Sequence, residues 1–200
     1  MPVGNNDNHN SRFANIRKGK VIIKEGDEYK EYGYIEGTIT DIQIIEDEYK
    51  GKKYKKVCVF LHDGIEGWNF QFRLDSGYGR AFCNTIENAD LSKHIKFTPN
   101  WKEVDGKDVT TMFLAQGANA LKWAHTRDNP GELPDLEKIT VRGEDMWDNT
   151  KQQAFYSNLL LGVIKPKLVH PVMVGSKNQI DTAEPAGPGT EAAAEDDLPF

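Results

Sequence analysis

The order of predicted strands and helices is the feature that most restricts the fold of this chain. The stretch 76–90 has the apolar spacing of a helix, and Ser76 in front of it is a candidate N-cap. Gly33 and Gly37, inside the first and longest predicted strand, indicate a bulge or a sharp bend. Before the helix, alternation of apolar and polar residues predicts three strands, at residues 32–49, 56–63 and 68–74.

Two more strands are predicted after the helix, at residues 94–101 and 109–116, and Asp105-Gly106 between them is typical of a hairpin turn. Three strands, a short helix and two strands, with a long bent first strand, is the layout of the OB fold. This five-stranded barrel binds oligonucleotides with its strands and two loops. We therefore predict a mainly β protein with an OB barrel over residues 21–118 and a three-stranded sheet packed on helices as the alternative.

The segments that flank the predicted barrel differ from it in composition. Residues 1–20 are polar and rich in Asn, which predicts a flexible N-terminal segment. Residues 119–170 form a C-terminal extension with a predicted helix over 147–161, packed on the barrel or on another subunit. Residues 171–200 are rich in Gly, Pro, Ala and acids and bury too little apolar surface to offset their ordering entropy, so we predict a disordered tail.

Charge is unevenly distributed along the chain. The net charge is -6, but residues 171–200 contain six acids and one base, so the remainder is close to neutral. The acidic balance therefore does not exclude a nucleic-acid partner, because local patches govern binding. With two cysteines, Cys58 and Cys83, and neither a membrane-spanning apolar run nor a secretory signal, we expect a cytoplasmic protein.

The turn between the first two predicted strands is the first candidate binding segment. Its sequence, YKGKKYKK, interleaves lysines with tyrosines. In an OB barrel this turn is one of the two loops that contact nucleic acid, where lysines neutralise phosphates and tyrosine rings stack on bases. A solvated hairpin tip is the alternative. The candidate residues are Tyr49, Lys50, Lys52, Lys53, Tyr54, Lys55 and Lys56.

The outer face of the second and third predicted strands is the second candidate. Strand alternation directs Phe60 outward when Val57 and Val59 face the core, and it directs Phe70 and Phe72 inward on the next strand. A polar, basic face that carries an aromatic ring binds bases without sequence preference. The outward candidates are Phe60, Asn69, Gln71 and Arg73, with Tyr34 and Trp101 as further stacking residues.

Sequence motifs of catalysis are missing. The stretch KEVDG at residues 102–106 differs by one extra residue from the Lys-x-Asp-Gly of nucleotidyltransferases that carry OB barrels. His62, His94 and the two cysteines lack the spacing of metal ligands, and the Ser and His residues follow no triad order. We therefore predict a protein that is not an enzyme and that needs no metal or cofactor.

The last residues, EDDLPF, resemble the C-terminal tip of bacterial single-stranded DNA-binding proteins, which has a few acids, an aliphatic residue, Pro and a terminal Phe. Leu198 stands where that family usually has Ile. The plan of an OB barrel followed by an acidic, Gly/Pro-rich tail is similar too. The helical extension and the Tyr/Lys-rich hairpin look more like the single-stranded DNA-binding proteins of tailed bacteriophages.

This resemblance implies a sequence-independent protein that coats and protects single-stranded DNA in the cytoplasm of a bacterium or a phage-infected host. It also implies that replication, recombination or repair proteins bind the tip in an apolar pocket with a basic rim, and it leaves homo-oligomerisation open. The alternatives are a strand-annealing or recombination-mediator protein with the same tail, an OB-fold nucleic-acid enzyme, and an adaptor that binds no DNA. The partner-binding candidates are Glu195, Asp196, Asp197, Leu198, Pro199 and Phe200.

Overall fold

The computed structural model describes residues 11–141 and 144–168, and it is mainly β-structure, as predicted. In chain order, the elements are β1 (Arg12–Arg17), β2 (Lys20–Glu25), β3 (Glu28–Tyr32), β4 (Ile35–Tyr49), β5 (Lys52–His62), β6 (Gly67–Arg73), α1 (Gly77–Ile86), β7 (Ile95–Val104), β8 (Lys107–Gln116), β9 (Asn119–Ala120), β10 (Glu137–Val141), β11 (Glu144–Asp148) and α2 (Thr150–Asn158), which continues as a π-helix (Leu159–Ile164) and a 3-10 turn (Lys165–Lys167).

Nine of the strands form one sheet in the order β3-β2-β1-β6-β5-β4-β7-β8-β9, and β10 and β11 pair separately. Neighbouring strands of the large sheet are antiparallel except β1 and β6, which are parallel. No ladder joins β3 to β9 within the described part of the chain. The sheet therefore has nine strands where five were expected, and closure into an OB barrel stays a prediction.

The five predicted strands correspond to β4 to β8, and the predicted helix corresponds to α1. The Ser76 hydroxyl caps α1 by accepting a hydrogen bond from the Gly79 N–H at 3.1 Å. Lys50-Gly51 and Asp105-Gly106 both have positive φ at the tips of hairpins, which is the backbone that a tight hairpin turn requires. The bulge in β4 falls between Ile39 and Asp41 rather than at a glycine.

The N-terminal hairpin β1–β2 corrects the prediction of a flexible segment over residues 1–20. Residues 12–17 and residue 20 lie in strands, and residues 1–10 lie outside the described residues. Ala14, Val21 and Ile23 of the hairpin are buried in the core. Its turn is held as well, because the Gly19 N–H donates to the Tyr78 hydroxyl at 3.0 Å. The outer side of the hairpin carries the apolar Phe13 and Ile22 beside polar residues, which weakens the alternation in the sequence.

Aromatic side chains from β6, β7 and α1 form the centre of the core. The ring centres of Phe70 and Phe72 are 5.4 Å apart, and those of Phe70 and Phe97 are 5.8 Å apart. The predicted core positions of Phe70 and Phe72 are therefore confirmed. The C-terminal extension packs on the same core, where the buried Tyr156 hydroxyl donates to Asn84 Oδ1 at 2.9 Å.

Within the described ranges, no helix has both the length and the apolar character that crossing a membrane requires.

Candidate nucleic-acid interface

The outward side chains of β5 and β6 form one continuous face, which we call the outer platform. In the antiparallel register Phe60 pairs with Asn69, and two residues further along Cys58 pairs with Gln71. Val57, Val59 and Leu61 are buried as predicted and Phe60 lies on the opposite face, but Cys58 and the predicted outward residue Asn69 are buried as well. The outer platform consists of Tyr54, Lys56, Cys58, Phe60, Asn69, Gln71 and Arg73.

The part of the outer platform nearest the start of β6 combines a ring with amides. Phe60 is half-buried, and so is Gln71, whose Nε2 donates to Asn69 Oδ1 at 3.1 Å. Asn69 is buried, so Gln71 is the more accessible of the two amides. The position of Phe60 is the one predicted from the sequence, and its role in binding stays a prediction.

The part of the outer platform nearest the end of β6 carries two basic side chains, and each of them has an acidic partner. Arg73 donates from Nε to Asp75 Oδ1 at 2.9 Å and from Nη2 to Asp75 Oδ2 at 2.6 Å. Lys56 forms an ion pair with Asp47, and this contact is the main reason that the pKa of Asp47 is lowered to about 2. A phosphate at this place has to compete with two carboxylates, which the sequence analysis did not anticipate.

Tyr54 lies between these charges. The Arg73 guanidinium carbon is 4.8 Å from the centre of the Tyr54 ring, a cation–π distance. The Tyr54 hydroxyl donates to Asp47 Oδ2 at 2.9 Å, which holds the ring against the sheet. Tyr54 is therefore a half-buried ring between two basic side chains, Arg73 and Lys56. A nucleobase that stacks on this ring has its phosphate close to both of them.

The tip of the β4–β5 hairpin carries less net charge than its lysines suggest. Lys50 and Lys52 are exposed at the turn, and Lys50 Nζ is 5.3 Å from the ring centre of the exposed Tyr49. Lys53 pairs across the ladder with Glu48, and Lys55 pairs with Glu46. Acids on β4 thus lie opposite Lys53 and Lys55. Lys50 and Lys52 are therefore the better candidates for phosphate contacts.

Tyr34 and Trp101 belong to another part of the sheet. Tyr34 precedes β4 and is exposed, with Lys96 Nζ 3.9 Å above its ring. Trp101 on β7 is half-buried, and its Nε1 donates to Asp108 Oδ1 at 2.9 Å. The sheet order places β7 beyond β4, so the structure does not bring these two rings onto the outer platform.

Two clefts of the described residues lie near the start of β4. The first has a volume of about 540 Å³ and is lined by Tyr32, Tyr34 and Trp68, but also by the carboxylates of Glu25 and Glu36. The second, of about 570 Å³, shares Glu36 with the first. None of the residues that line these two clefts belongs to the outer platform. Groups of three or more potential metal ligands are not found within the described residues.

Strand β1 adds side chains to the platform that the sequence analysis missed. It pairs in parallel with β6, so that Phe13 lies beside Asn69 and Asn15 lies beside Gln71. Phe13 is 61% exposed, an unusual state for a large aromatic side chain in a strand. The alternation of these residues with the buried Ala14 was the available signal.

Comparisons with protein-family models, with curated protein sequences and with solved structures find no match to this chain. The partner-binding candidates Glu195 to Phe200 lie outside the described residues.

Proposed function

We propose that the protein is a sequence-independent single-stranded DNA-binding protein without catalytic activity, and that β4 to β8 with α1 form an OB-type barrel. The outer platform is the observation that carries the proposal, because it places the half-buried Phe60 and Tyr54 rings, the Gln71 amide and basic side chains on one face of a sheet, although Cys58 and Asn69 on that face are buried. The sheet order β6-β5-β4-β7-β8, with α1 between β6 and β7, agrees with a partly open five-stranded barrel.

The chemistry of the platform suits any single strand. Bases stack on Phe60 and Tyr54, and stacking tolerates every sequence because every base has an aromatic face. Lys50, Lys52 and Arg73 contact phosphates and release counterions, which makes binding dependent on salt. The faces of the nucleobases in a duplex are already stacked on neighbouring base pairs. They therefore cannot stack on Phe60 and Tyr54, and the duplex binds more weakly.

The acidic tail supports a second role in the same function. By the resemblance of EDDLPF to the tips of single-stranded DNA-binding proteins, the tail recruits replication, recombination or repair proteins in a bacterial or phage-infected cell. Burial of the Phe200 side chain in a partner's apolar pocket contributes about 1.5–3 kcal/mol. Basic groups on the rim of that pocket bind Asp196 and Asp197 through charge-assisted hydrogen bonds.

An adaptor that binds no DNA is the second candidate function. The observation in its favour is that Asp75 and Asp47 already neutralise Arg73 and Lys56 on the platform. In that case the folded domain would serve only to carry the tail. A strand-annealing protein with the same platform would differ from our proposal by accelerating the pairing of complementary strands.

Titration by fluorescence anisotropy tests the proposal. Labelled oligonucleotides of about 30 nucleotides exceed the 4–16 nucleotides that one OB fold occupies. We expect similar affinities for oligo-dT and for mixed sequences, much weaker binding to the matching duplex, and a loss of affinity as salt rises. Absence of binding to all single strands at low salt would reject the proposal in favour of the adaptor.

A further inference from the structure

The parallel pairing of β1 with β6 makes the outer platform continuous with the N-terminal hairpin. Ala14 pairs with Phe70, and both are fully buried, so the two strands have the same inward and outward phase. The outward residues of β1 therefore lie in the same plane as Asn69 and Gln71. Strand β2 continues this surface on the far side, where its outward Ile22 pairs with Asn15.

Aromatic rings recur on every second strand of this extended surface. Phe60 pairs with Asn69, and Asn69 pairs with Phe13. The β1–β2 register continues to Lys24 beside Phe13, as the adjacent ion pair of Arg12 with Glu25 at 3.2 Å indicates. Lys24 pairs in turn with Tyr29, which is 69% exposed. From strand spacings of 4.7–4.9 Å, successive rings are about 9.6 Å apart. The row is Tyr29, Lys24, Phe13, Asn69 and Phe60.

A second row, four residues further along the strands, is basic. Lys56 pairs with Arg73, and Arg17 pairs with Lys20. The parallel ladder of β1 and β6 ends at Asn15 and Gln71, and Arg17 and Arg73 follow two residues later on their strands. Four basic residues thus lie at corresponding positions along four strands that are neighbours in the sheet order.

The two basic side chains of the hairpin differ from the two of the platform in whether they form ion pairs. Arg73 and Lys56 form ion pairs with Asp75 and Asp47. Arg17 and Lys20 are exposed, and neither forms an ion pair with a described residue. The hairpin therefore contributes the two bases of the row that form no ion pair with a described carboxylate.

We infer that the N-terminal hairpin is part of the nucleic-acid site, and that a single strand crosses β5, β6, β1 and β2 with its bases over the ring row and its backbone toward the basic row. This inference rests on the proposed function and extends it from two strands to the hairpin. The amides of Asn15 and Gln71 lie between the rows and offer hydrogen bonds to either side. The ligand is single-stranded, because only unpaired bases present their faces to rings.

The first test compares two exposed phenylalanines. Phe13→Ala should weaken oligo-dT binding roughly fivefold to 150-fold, the equivalent of ~1–3 kcal/mol at 1.4 kcal/mol per factor of ten. The matched control is Phe113→Ala, because Phe113 on β8 is 53% exposed and lies outside both rows. Thermal unfolding of both variants checks that each still folds. Phe13→Leu is a further variant that keeps an apolar side chain at this position and removes only the aromatic ring.

The second test compares two pairs of exposed bases. Arg17→Ala with Lys20→Ala should flatten the dependence of log affinity on log salt by about 1.4, from about 0.7 for each lost phosphate contact. The control pair is Lys122→Ala with Arg127→Ala, which removes the same charge from an exposed loop outside both rows.

The outcomes separate the inference from the proposed function. Wild-type binding that both test variants leave unchanged would overturn the inference while the function stands. The inference is equally overturned if the test and control variants weaken binding to the same degree. Failure of the wild-type protein to bind any single strand would overturn the function itself.

Discussion

Arg73 and Asp75 form a bidentate pair at the edge of the outer platform, with nitrogen–oxygen distances of 2.9 and 2.6 Å. This geometry is the one in which a guanidinium binds a phosphate, so the carboxylate occupies the place of a ligand. The pair raises the pKa of Arg73, chiefly through the hydrogen bonds with Asp75, so the guanidinium stays charged. Binding of DNA at this point requires the replacement of one anion by another.

Asp75→Asn should therefore tighten single-stranded DNA binding. The substitution removes the competing charge, and we expect the log–log salt dependence to steepen by up to about 0.7 as one more phosphate contact forms. Asp128→Asn is the matched control, because Asp128 is an exposed acid in a loop outside the platform. Equal effects of the two substitutions on anisotropy titrations would show that only the net charge of the protein matters.

The two pairs of lysines in the β4–β5 hairpin should differ in their effect on binding. Replacement of Lys50 and Lys52 by Ala should flatten the salt dependence by about 1.4, two contacts of about 0.7 each. Replacement of Lys53 and Lys55 should have a smaller effect, because acids on β4 oppose them across the ladder. Replacement of all four lysines by Ala should flatten the slope of log affinity against log salt by at most about 3. A larger effect from the second pair would assign the phosphate path to the other side of the hairpin.

The local part of the fold could be predicted from the sequence because its signals are local. Val57, Val59 and Leu61 recur with a period of two in β5, and Ser76 and the Asp105-Gly106 pair mark a helix start and a turn. The parallel pairing of β1 with β6 joins residues more than fifty positions apart, which no local pattern encodes. The nine-stranded sheet and the hairpin's place in it were missed for this reason.

The candidate site was predictable to the same extent. The outward phase of Phe60 follows from the period of two in β5. The partners of the bases depend on register and side-chain geometry, so the ion pair of Lys56 with Asp47 could not be read from the chain. The sequence therefore predicted the face on which Phe60 lies, but neither the burial of Asn69 nor the acidic partners of Lys56 and Arg73.

Stability at low pH should report the ion pair of Asp47 with Lys56. Hydrogen bonds from Lys56, the Glu48 N–H and Tyr54 lower the pKa of Asp47 to about 2, below its ordinary value of 3.8. A lowered pKa in the folded state stabilises the fold above about pH 4, and this contribution is lost as the pH falls toward 2. In urea titrations, the difference in unfolding free energy between the wild type and Asp47→Asn should shrink over that interval. A constant difference would mean that the pair does not form in solution.

The acidic tail should affect partner binding and DNA binding through different residues. Residues 171–200 contain six acids and one base, and joining such a segment to the binding domain in one chain can give it an effective concentration of ~mM at the platform. Deletion of residues 192–200 should raise DNA affinity modestly, most at low salt, and abolish partner binding. Removal of Phe200 alone should abolish partner binding and leave DNA affinity almost unchanged. Partner binding that persists without Phe200 would contradict the docking role of the tip.

Photo-crosslinking tests the central claim, that a single strand lies on the outer platform, most directly. An oligo-dT in which iodouracil replaces thymine bases is irradiated in complex with the wild-type protein, and the modified peptides are identified by mass spectrometry. We predict adducts at Tyr54 and Phe60, removed by competition with unlabelled oligo-dT, because both half-buried rings lie on the outer platform. Adducts confined to Phe113 and Trp123, which are exposed outside the platform, would contradict the account.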